Sequence, residues 1–305
     1  MKQVQRGIVT VLCFLATTFL VTINATFSIV ATDEEMRRIG GAGASCVPNA
    51  DAYEALYHGI PNRTIYHAQA VMARPCSPIF TTASEMMNAS EVDLDEVLDA
   101  MLEVDSTNFY NPLVCLRCGI YPRNTLRQYG MANFTSSLGY TGENIETLYN
   151  EMYDFEHEEL DEGGSVVTST GNSMVYHSLA NVVTPGTVAS MSKGFSESNS
   201  TNLAERLMAA MASVLAEGEG DQRCLTQDGV STTAAVAFLH VDNPDGTDYI
   251  DLRIIGDGSV EPLELLQAEF DNWKESQDSS QKINHLSSAK ADNNGNHLRR
   301  NDHLW

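Results

Sequence analysis

The chain has 305 residues and a formal net charge of −23 at pH 7, with 41 Asp and Glu against 18 Lys and Arg. This length is enough for one large domain or two small ones. The strong negative charge argues against nucleic acid and against an anionic membrane surface as partners.

The first 25 residues have the pattern of a secretory signal peptide. Lys2 and Arg6 form a basic start, and the mostly apolar, uncharged run Gly7–Ile23 follows. Ala25 is the kind of small residue that signal peptidase accepts before its cut. The alternative is an uncleaved anchor, but a spanning helix needs about 20 apolar residues and this run is shorter. We therefore expect a secreted protein, or one in the lumen of the secretory pathway, without a stable membrane span.

A cut after Ala25 would make Thr26 the new first residue, with its hydroxyl beside a free α-amine. A Thr hydroxyl is a weak nucleophile until a base takes its proton, and an N-terminal amine can be that base. The reference pKa of this amine, about 7.7–8.0, leaves a useful neutral fraction near neutral pH. The run Thr26–Ala31 also has ordinary strand composition, so a plain buried strand is the alternative.

Strands are predicted first, by alternation and β-branched composition, over Thr26–Ala31, Ile39–Ser45 and Ile65–Val71. A helix with a capping pair follows over Asp93–Val104, and then a loop insertion over Asn108–Asn124. Next come a hairpin formed by Leu126–Ala132 and Phe134–Tyr140, and an acidic amphipathic helix from Ile145 to Phe155. The acidic run Asp154–Glu162 is assigned to solvated surface.

The second half returns to strand character over Val166–Thr170 and Met174–Val183. Two helices follow, Pro185–Phe195 and an Ala-rich one from Leu203 that ends at Gly218. Strands are predicted over Ser231–Val241 and Tyr249–Ile255, before a last helix that opens at Pro262. From about Glu275 the chain is polar, so we expect a signal peptide at 1–25, one domain at 26–274 and a disordered tail at 275–305.

Five of the six cysteines follow the proposed cut, and some should pair in an oxidising compartment. Because five is odd, at least one would be free or intermolecular. These cysteines are Cys46, Cys76, Cys115, Cys118 and Cys224. Acceptor sequons for N-glycosylation lie at Asn62, Asn88, Asn133 and Asn199.

The chain has no Gly-rich phosphate loop, no dinucleotide fingerprint and no group of His, Cys and Asp at metal-ligand spacing along the sequence. Cys115 and Cys118 have the spacing of half a zinc site, but no second Cys/His pair follows at that spacing. We expect neither a metal nor an organic cofactor.

Several segments in the right order resemble an uncharacterised family, the domain of unknown function numbered one thousand and twenty-eight. Its bacterial members typically begin with Met and then the same Thr-Phe-Ser-Ile-Val-Ala as Thr26–Ala31. The other similar segments are Gly41–Ser45, Ala68–Ala70, Asp95–Leu102, Arg127–Gly130, Tyr140–Gly142, the surroundings of Asn181, Leu203–Leu207, Gly220–Arg223 and Tyr249–Arg253. The chain departs from the family at Ala68, where Thr is usual, and at Tyr140, where His is common.

The resemblance covers roughly residues 26–274 and implies membership of the N-terminal-nucleophile (Ntn) hydrolase superfamily. It implies an α+β fold, a four-layer αββα sandwich of two mainly antiparallel sheets flanked by helices. It also implies hydrolysis of a linear amide in a small-molecule substrate, through an acyl-enzyme on Thr26.

Beside Thr26, we take Asn181 and then Gln69 as candidates for holding the developing oxyanion, each of which could instead be a satisfied buried amide. Arg223 is a candidate for binding a substrate carboxylate, and a turn contact with Asp221 is its alternative. The alternative function is a non-catalytic secreted binding or structural protein on the same fold. Whether the chain forms a homo-oligomer is open.

Overall fold

The computed structural model describes residues 23–24, 26–71, 78–89, 91–107, 109–110, 120–153, 157–225, 232–277 and 279. The strands are β1 (Ile23–Asn24), β2 (Thr26–Asp33), β3 (Arg38–Ser45), β4 (Tyr57–Ile60), β5 (Thr64–Val71), β6 (Phe109–Tyr110), β7 (Tyr121–Pro122), β8 (Arg127–Asn133), β9 (Ser137–Thr141), β10 (Glu158–Val167), β11 (Ser173–Val183), β12 (Val236–Asp242) and β13 (Asp248–Ile254). The helices are α1 (Ala52–Leu56), α2 (Pro78–Met87), α3 (Leu94–Ser106), α4 (Ile145–Met152), α5 (Thr187–Glu197), α6 (Leu203–Glu217) and α7 (Gln222–Leu225). An eighth helix, α8, covers residues 262–277.

Two antiparallel sheets carry the fold. The six-stranded sheet has the order β10-β11-β2-β3-β12-β13, so that β2 lies in its interior between β11 and β3. The five-stranded sheet has the order β1-β5-β8-β9, and β4 also pairs with β5. A separate short ribbon consists of β6 and β7.

The alternation of side chains along β2 sorts them between two layers. On one face, Ile29 lies opposite Ser178 of β11, which accepts a hydrogen bond from Ser192 of α5. On the other face, Ser28 donates to Gln69 of the five-stranded sheet at 2.9 Å. The outer face of the five-stranded sheet packs against α2 and α3 in a buried apolar cluster. The layers are therefore helix, sheet, sheet and helix, which confirms the predicted αββα sandwich.

Most predicted elements are present within a few residues of their predicted ends. β10 is an exception, because it begins at Glu158 whereas a strand was predicted only from Val166. The side chains of residues 158–162 in the acidic run are half-buried or exposed. β10 is an edge strand, in which backbone pairing with β11 is compatible with charged side chains that point to solvent. β12 begins at Val236, later than predicted, since the backbone N–H of Thr233 donates to the carboxylate of Glu261.

The chain divides into two compact units at Leu266 and Gln267, inside α8. Residues 275–277, at the start of the predicted tail, belong to α8, and residues 278 and 280–305 lie outside the described residues, so the disordered tail stays a prediction. Among the described helices, none combines the length and the apolar character that crossing a bilayer requires.

A disulfide joins Cys46, just after β3, to Cys224 of α7 across 178 positions of the chain. Disulfides that close long loops restrict the unfolded chain most in the loop-entropy description. This bond fulfils the prediction of at least one disulfide. Cys76, Cys115 and Cys118 lie outside the described residues.

His67 of β5 is fully buried between the sheets, beside Tyr57 and Phe238. Neither ring nitrogen has a hydrogen-bond partner among the described residues. The ring fits because the facing position of β3 is Gly41, where a side chain would collide with the imidazole. Burial, with a smaller contribution from His58, lowers the pKa of His67 from 6.5 to about 3. This agrees with a structural role for the histidine.

We expect the free energy of unfolding to decrease as the pH falls from about 6.5 towards about 3, partly through His67. The unfolded chain takes up the proton near the ordinary pKa, whereas the folded chain excludes it until about pH 3. In His67→Leu, the slope of unfolding free energy against pH should be smaller by about 1.4 kcal/mol per pH unit between these limits. Denaturant unfolding at several pH values tests this, and identical slopes for both proteins would contradict it.

Candidate functional site

Thr26 is the first residue of β2, and only 1% of it is exposed. Asn181 of β11 and Ser45 of β3 lie directly opposite it on its two sides. The Thr26 hydroxyl donates to the Ser45 hydroxyl at 3.3 Å. Ile23 and Asn24 belong instead to the five-stranded sheet, so the backbone passes from one sheet to the other immediately before Thr26. The predicted cut falls at this crossing; Ala25 itself lies outside the described residues.

Gln69 of β5 connects the five-stranded sheet to the backbone of Thr26 in the six-stranded sheet. Its side-chain N–H groups donate to the backbone carbonyl of Thr26 at 3.2 Å and to Oε1 of Gln128 at 2.6 Å. Its Oε1 accepts from the Ser28 hydroxyl. An amide NH₂ has two hydrogens, so one hydrogen of Gln69 holds the backbone carbonyl of Thr26 and the other bonds Gln128, which leaves neither for another acceptor.

Gln128 of β8 is the centre of the amide network that it forms with Gln69 and Asn181, and no role was predicted for it from the sequence. It is fully buried. Its Oε1 accepts from Gln69 and, at 3.1 Å, from Asn181, while its NH₂ group faces acceptors on β9, β10 and β11 at 3.0 Å. The one sequence signal for a role of Gln128 is that it belongs to Arg127–Gly130, one of the segments that resemble the family, as Gln69 belongs to another.

Asn181 has donor capacity left. It is fully buried, and among the described residues its Nδ2 donates one hydrogen bond, to Gln128. Its Oδ1 has no hydrogen-bond partner among the described residues. Because Asn181 lies opposite Thr26, their side chains are cross-strand neighbours on the same face of the sheet.

The backbone is strained directly after both amide residues. Ala70, after Gln69, has φ 72°, and Val182, after Asn181, has φ 56°. Positive φ is a marked exception for a β-branched residue such as Val182. The pairing of β10 with β11 also shifts register here, as expected for a bulge that re-aims a side chain. Such strain costs of order 1–3 kcal/mol per residue and clusters at functional sites.

Arg223 lies at the same end of the six-stranded sheet as Thr26. Its neighbour Cys224 is bonded to Cys46, which directly follows Ser45. Its guanidinium pairs with the buried carboxylate of Asp221 at 2.8 Å, and Asp221 also accepts from the backbone N–H of Cys46. Burial opposes the charged guanidinium, but Asp221 raises the pKa of Arg223 above its usual value. The predicted turn contact is therefore present, and substrate binding by Arg223 stays a prediction.

Two cavities lie elsewhere. One of about 470 Å³ is lined by residues that include Arg37, Arg63 and Asn133. The other, of about 350 Å³, is lined by residues that include Gly163 and His177. Asn133 bonds the hydroxyl of Thr32, six positions along β2 from Thr26 and thus roughly 20 Å away. Neither lining includes Thr26, which is enclosed in the uncut chain.

Comparison with known proteins supports the fold. No protein-family model matches the chain, and no curated protein matches it. Among solved structures, the crystal structure of a protein from Silicibacter pomeroyi, described under family-model DUF1028, has a TM-score of 0.52 and 17% identity. The match covers 81% of this chain and 88% of that chain. DUF1028 is the family that the sequence resembles, so the fold expected from that resemblance is confirmed; at this identity the likeness concerns the fold alone.

Replacing Gln128 should destabilise the protein through its neighbours. In Gln128→Met, Gln69 and Asn181 each lose an acceptor in a buried place, at a cost of about 1–3 kcal/mol for each donor left unpaired. We expect the free energy of unfolding to fall by at least about 2 kcal/mol. The control, Gln267→Met, alters a half-buried glutamine whose hydrogen bond to Asp271 is exposed to solvent, and should change the free energy of unfolding by less than about 0.5 kcal/mol. Equal effects in denaturant unfolding would contradict the central role of Gln128.

Proposed function

We propose that the chain is a secreted N-terminal-nucleophile hydrolase that cleaves a linear amide of a small substrate through an acyl-enzyme on Thr26. The observation that carries the proposal is the position of Thr26. It lies at the crossing between the two sheets, with Ser45 and Asn181 on either side and Gln69 on its carbonyl. A fold that places a hydroxyl at the first residue of an interior strand suits a nucleophile that becomes active when the chain before it is removed.

The cut has a second consequence at the five-stranded sheet. In the uncut chain, Ile23 and Asn24 pair with Val71 and Ala70 at the edge of β5. Cleavage after Ala25 separates this short strand from Thr26, and its departure uncovers the Thr26 amine and the adjacent edge of β5. The substrate then approaches Thr26 from the side that the leader has left.

Thr26 supplies both the nucleophile and the general base of the reaction. The neutral α-amine takes the hydroxyl proton, and the oxygen attacks the amide carbon of the substrate. When the C–N bond breaks, the ammonium returns a proton to the leaving amine, and an ester on Thr26 remains. The amine then takes a proton from water, which attacks this ester. As the bond between the acyl carbon and the Thr26 oxygen breaks, the ammonium returns that proton to the Thr26 oxygen, and the carboxylic acid is released.

The two amide side chains have different parts in this scheme. Asn181 donates its second Nδ2 hydrogen to the oxyanion that develops on the substrate, whereas Gln69 positions the Thr26 backbone because both of its amide hydrogens are in use. One oxyanion donor is worth about 2.7–4 kcal/mol in the transition state. The strained backbone at Val182 is consistent with a side chain held for a function.

Arg223 and the disulfide complete the proposal. The bond between Cys46 and Cys224 fixes Arg223 beside Ser45, where its guanidinium can attract the carboxylate of an acyl-amino-acid substrate. Asp221 already neutralises part of this charge, so a single substrate carboxylate is the most that the pair supports. The disulfide also supports secretion, since such bonds persist in oxidising compartments.

The nucleophile can be tested without knowing the substrate, by acylation with a small β-lactone followed by intact-mass measurement. Processed wild-type protein should gain one label on Thr26, and Thr26→Ser should retain labelling because the hydroxyl remains. Thr26→Ala should lose labelling. A folded chain that keeps Met-Ala before Thr26 should also lose it, since its nitrogen is then an amide without a basic lone pair. General-base catalysis is worth about 10²–10⁴-fold, so the loss should be plain.

The matched control is Thr32→Ala, which removes a buried hydroxyl from the same face of the same strand at its other end. It should leave labelling unchanged. Labelling of Thr26→Ala at the wild-type rate would rule out the proposed nucleophile. Absence of labelling in the correctly processed wild-type protein would instead favour the non-catalytic binding or structural alternative, for which a buried amide network is adequate.

Asn181→Ala should slow lactone labelling by about 10²–10³-fold, because it removes the proposed oxyanion donor. Asn172→Ala is the control, since Asn172 is also a buried asparagine but bonds Asp33 at the opposite end of β2. That variant should label at nearly the wild-type rate once unfolded protein is accounted for by circular dichroism. Equal rates for both variants would remove Asn181 from the mechanism.

A further inference from the structure

The hairpin of β12 and β13 gathers one histidine and three carboxylates at its turn end. His240 lies opposite Asp251, and Asp242 lies opposite Asp248. The group is distinct from the Thr26 site: Thr26 is aligned with Ser45 and Val236, and His240 lies four positions farther along β12, roughly 13 Å away along the strand.

Three ligand atoms converge in this group. Nε2 of His240 is 3.1 Å from an oxygen of Asp242 and 3.9 Å from an oxygen of Asp248. The three atoms lie within 4.8 Å of one another. Two ligands at about 2.0–2.2 Å from one tetrahedral ion are roughly 3.3–3.6 Å apart. The group therefore surrounds a space of the right size for a transition-metal ion, with only small adjustments.

A second layer of contacts orients these ligands. Nδ1 of His240 faces Asp251 at 3.3 Å, and Arg253 donates to the same Asp251 oxygen at 2.9 Å. The Tyr57 hydroxyl donates to the other oxygen of Asp242 at 2.6 Å, which leaves the inner oxygen for an ion. A histidine ligand backed by a carboxylate on its second nitrogen is the usual arrangement at protein zinc sites.

The charge arrangement calls for a cation at Nε2. A neutral imidazole has one N–H, yet both ring nitrogens of His240 face carboxylate oxygens, so one contact needs either an added proton or a metal ion. A proton joins only two atoms. The third ligand, Asp248, is too far from Nε2 for a hydrogen bond but suitably placed to share an ion with it.

We propose that His240, Asp242 and Asp248 bind one divalent transition-metal ion of the zinc class. Imidazole with carboxylates suits zinc better than calcium, which takes oxygen ligands. His240 and Asp242 are buried, whereas the Asp248 side chain is 64% exposed, so an ion can enter from solvent and retain a water molecule. The ion binds β12 to β13 at their turn and takes no part in chemistry at Thr26.

The test is a calorimetric titration of ZnCl₂ into the tag-free protein in the form that its host produces. Bound metal is first removed with a chelator. We expect one Zn²⁺ per chain. Asp248→Asn should weaken binding at least tenfold, and His240→Gln should weaken it further; even outer contacts of metal sites are worth about 10–100-fold. Because Asp248 is exposed, its substitution leaves the fold in place, which thermal unfolding verifies.

Asp245→Asn is the matched control, since it alters an acidic residue of the same turn that is not among the three ligands. It should change the affinity by less than threefold. The proposal is overturned if the wild-type protein shows no saturable binding, or if binding survives unchanged in both Asp248→Asn and His240→Gln. In the latter case the zinc binds elsewhere on the chain, and a proton alone joins His240 to Asp242.

Discussion

The structure depends on satisfying a set of amide groups buried between two sheets. Gln128 accepts from both Gln69 and Asn181, and these three side chains come from three different strands. Leaving one of these buried amides unpaired would cost more free energy of folding than a typical hydrogen bond contributes. The network therefore fixes how the two sheets face each other, and with them the position of Thr26.

Local patterns along the sequence were enough to predict most of the strands and helices, whereas their arrangement in four layers was predicted from the family resemblance. The alternation in Thr26–Ala31 and the capped helix after Asp93 depend on neighbouring residues only, and both are present. The role of Gln128 depends on contacts between strands distant in sequence, which no local pattern contains. The acidic strand β10 was missed because at an edge its backbone pairing, and not its side chains, decides the structure.

The same limit explains the second group of residues. His240 and Asp242 are two positions apart, and Asp248 reaches them only through the pairing of β12 with β13. Zinc motifs in sequence are recognised by closely spaced Cys and His pairs, so the sequence spacing does not predict this cross-strand set. The two ends of the six-stranded sheet thus differ. One end has the Thr26 hydroxyl between Ser45 and Asn181, and the other has the His240 imidazole among three carboxylates.

The proposed mechanism requires that Thr26 is the first residue of the mature protein. Intact-mass measurement and N-terminal sequencing of the protein isolated from its natural host, or from a closely related one, test this requirement. We expect a mature chain that begins at Thr26 with an unblocked α-amine. A mature chain that begins at another residue, such as Thr32 after Ala31, or one that retains the residues before Thr26, would contradict it.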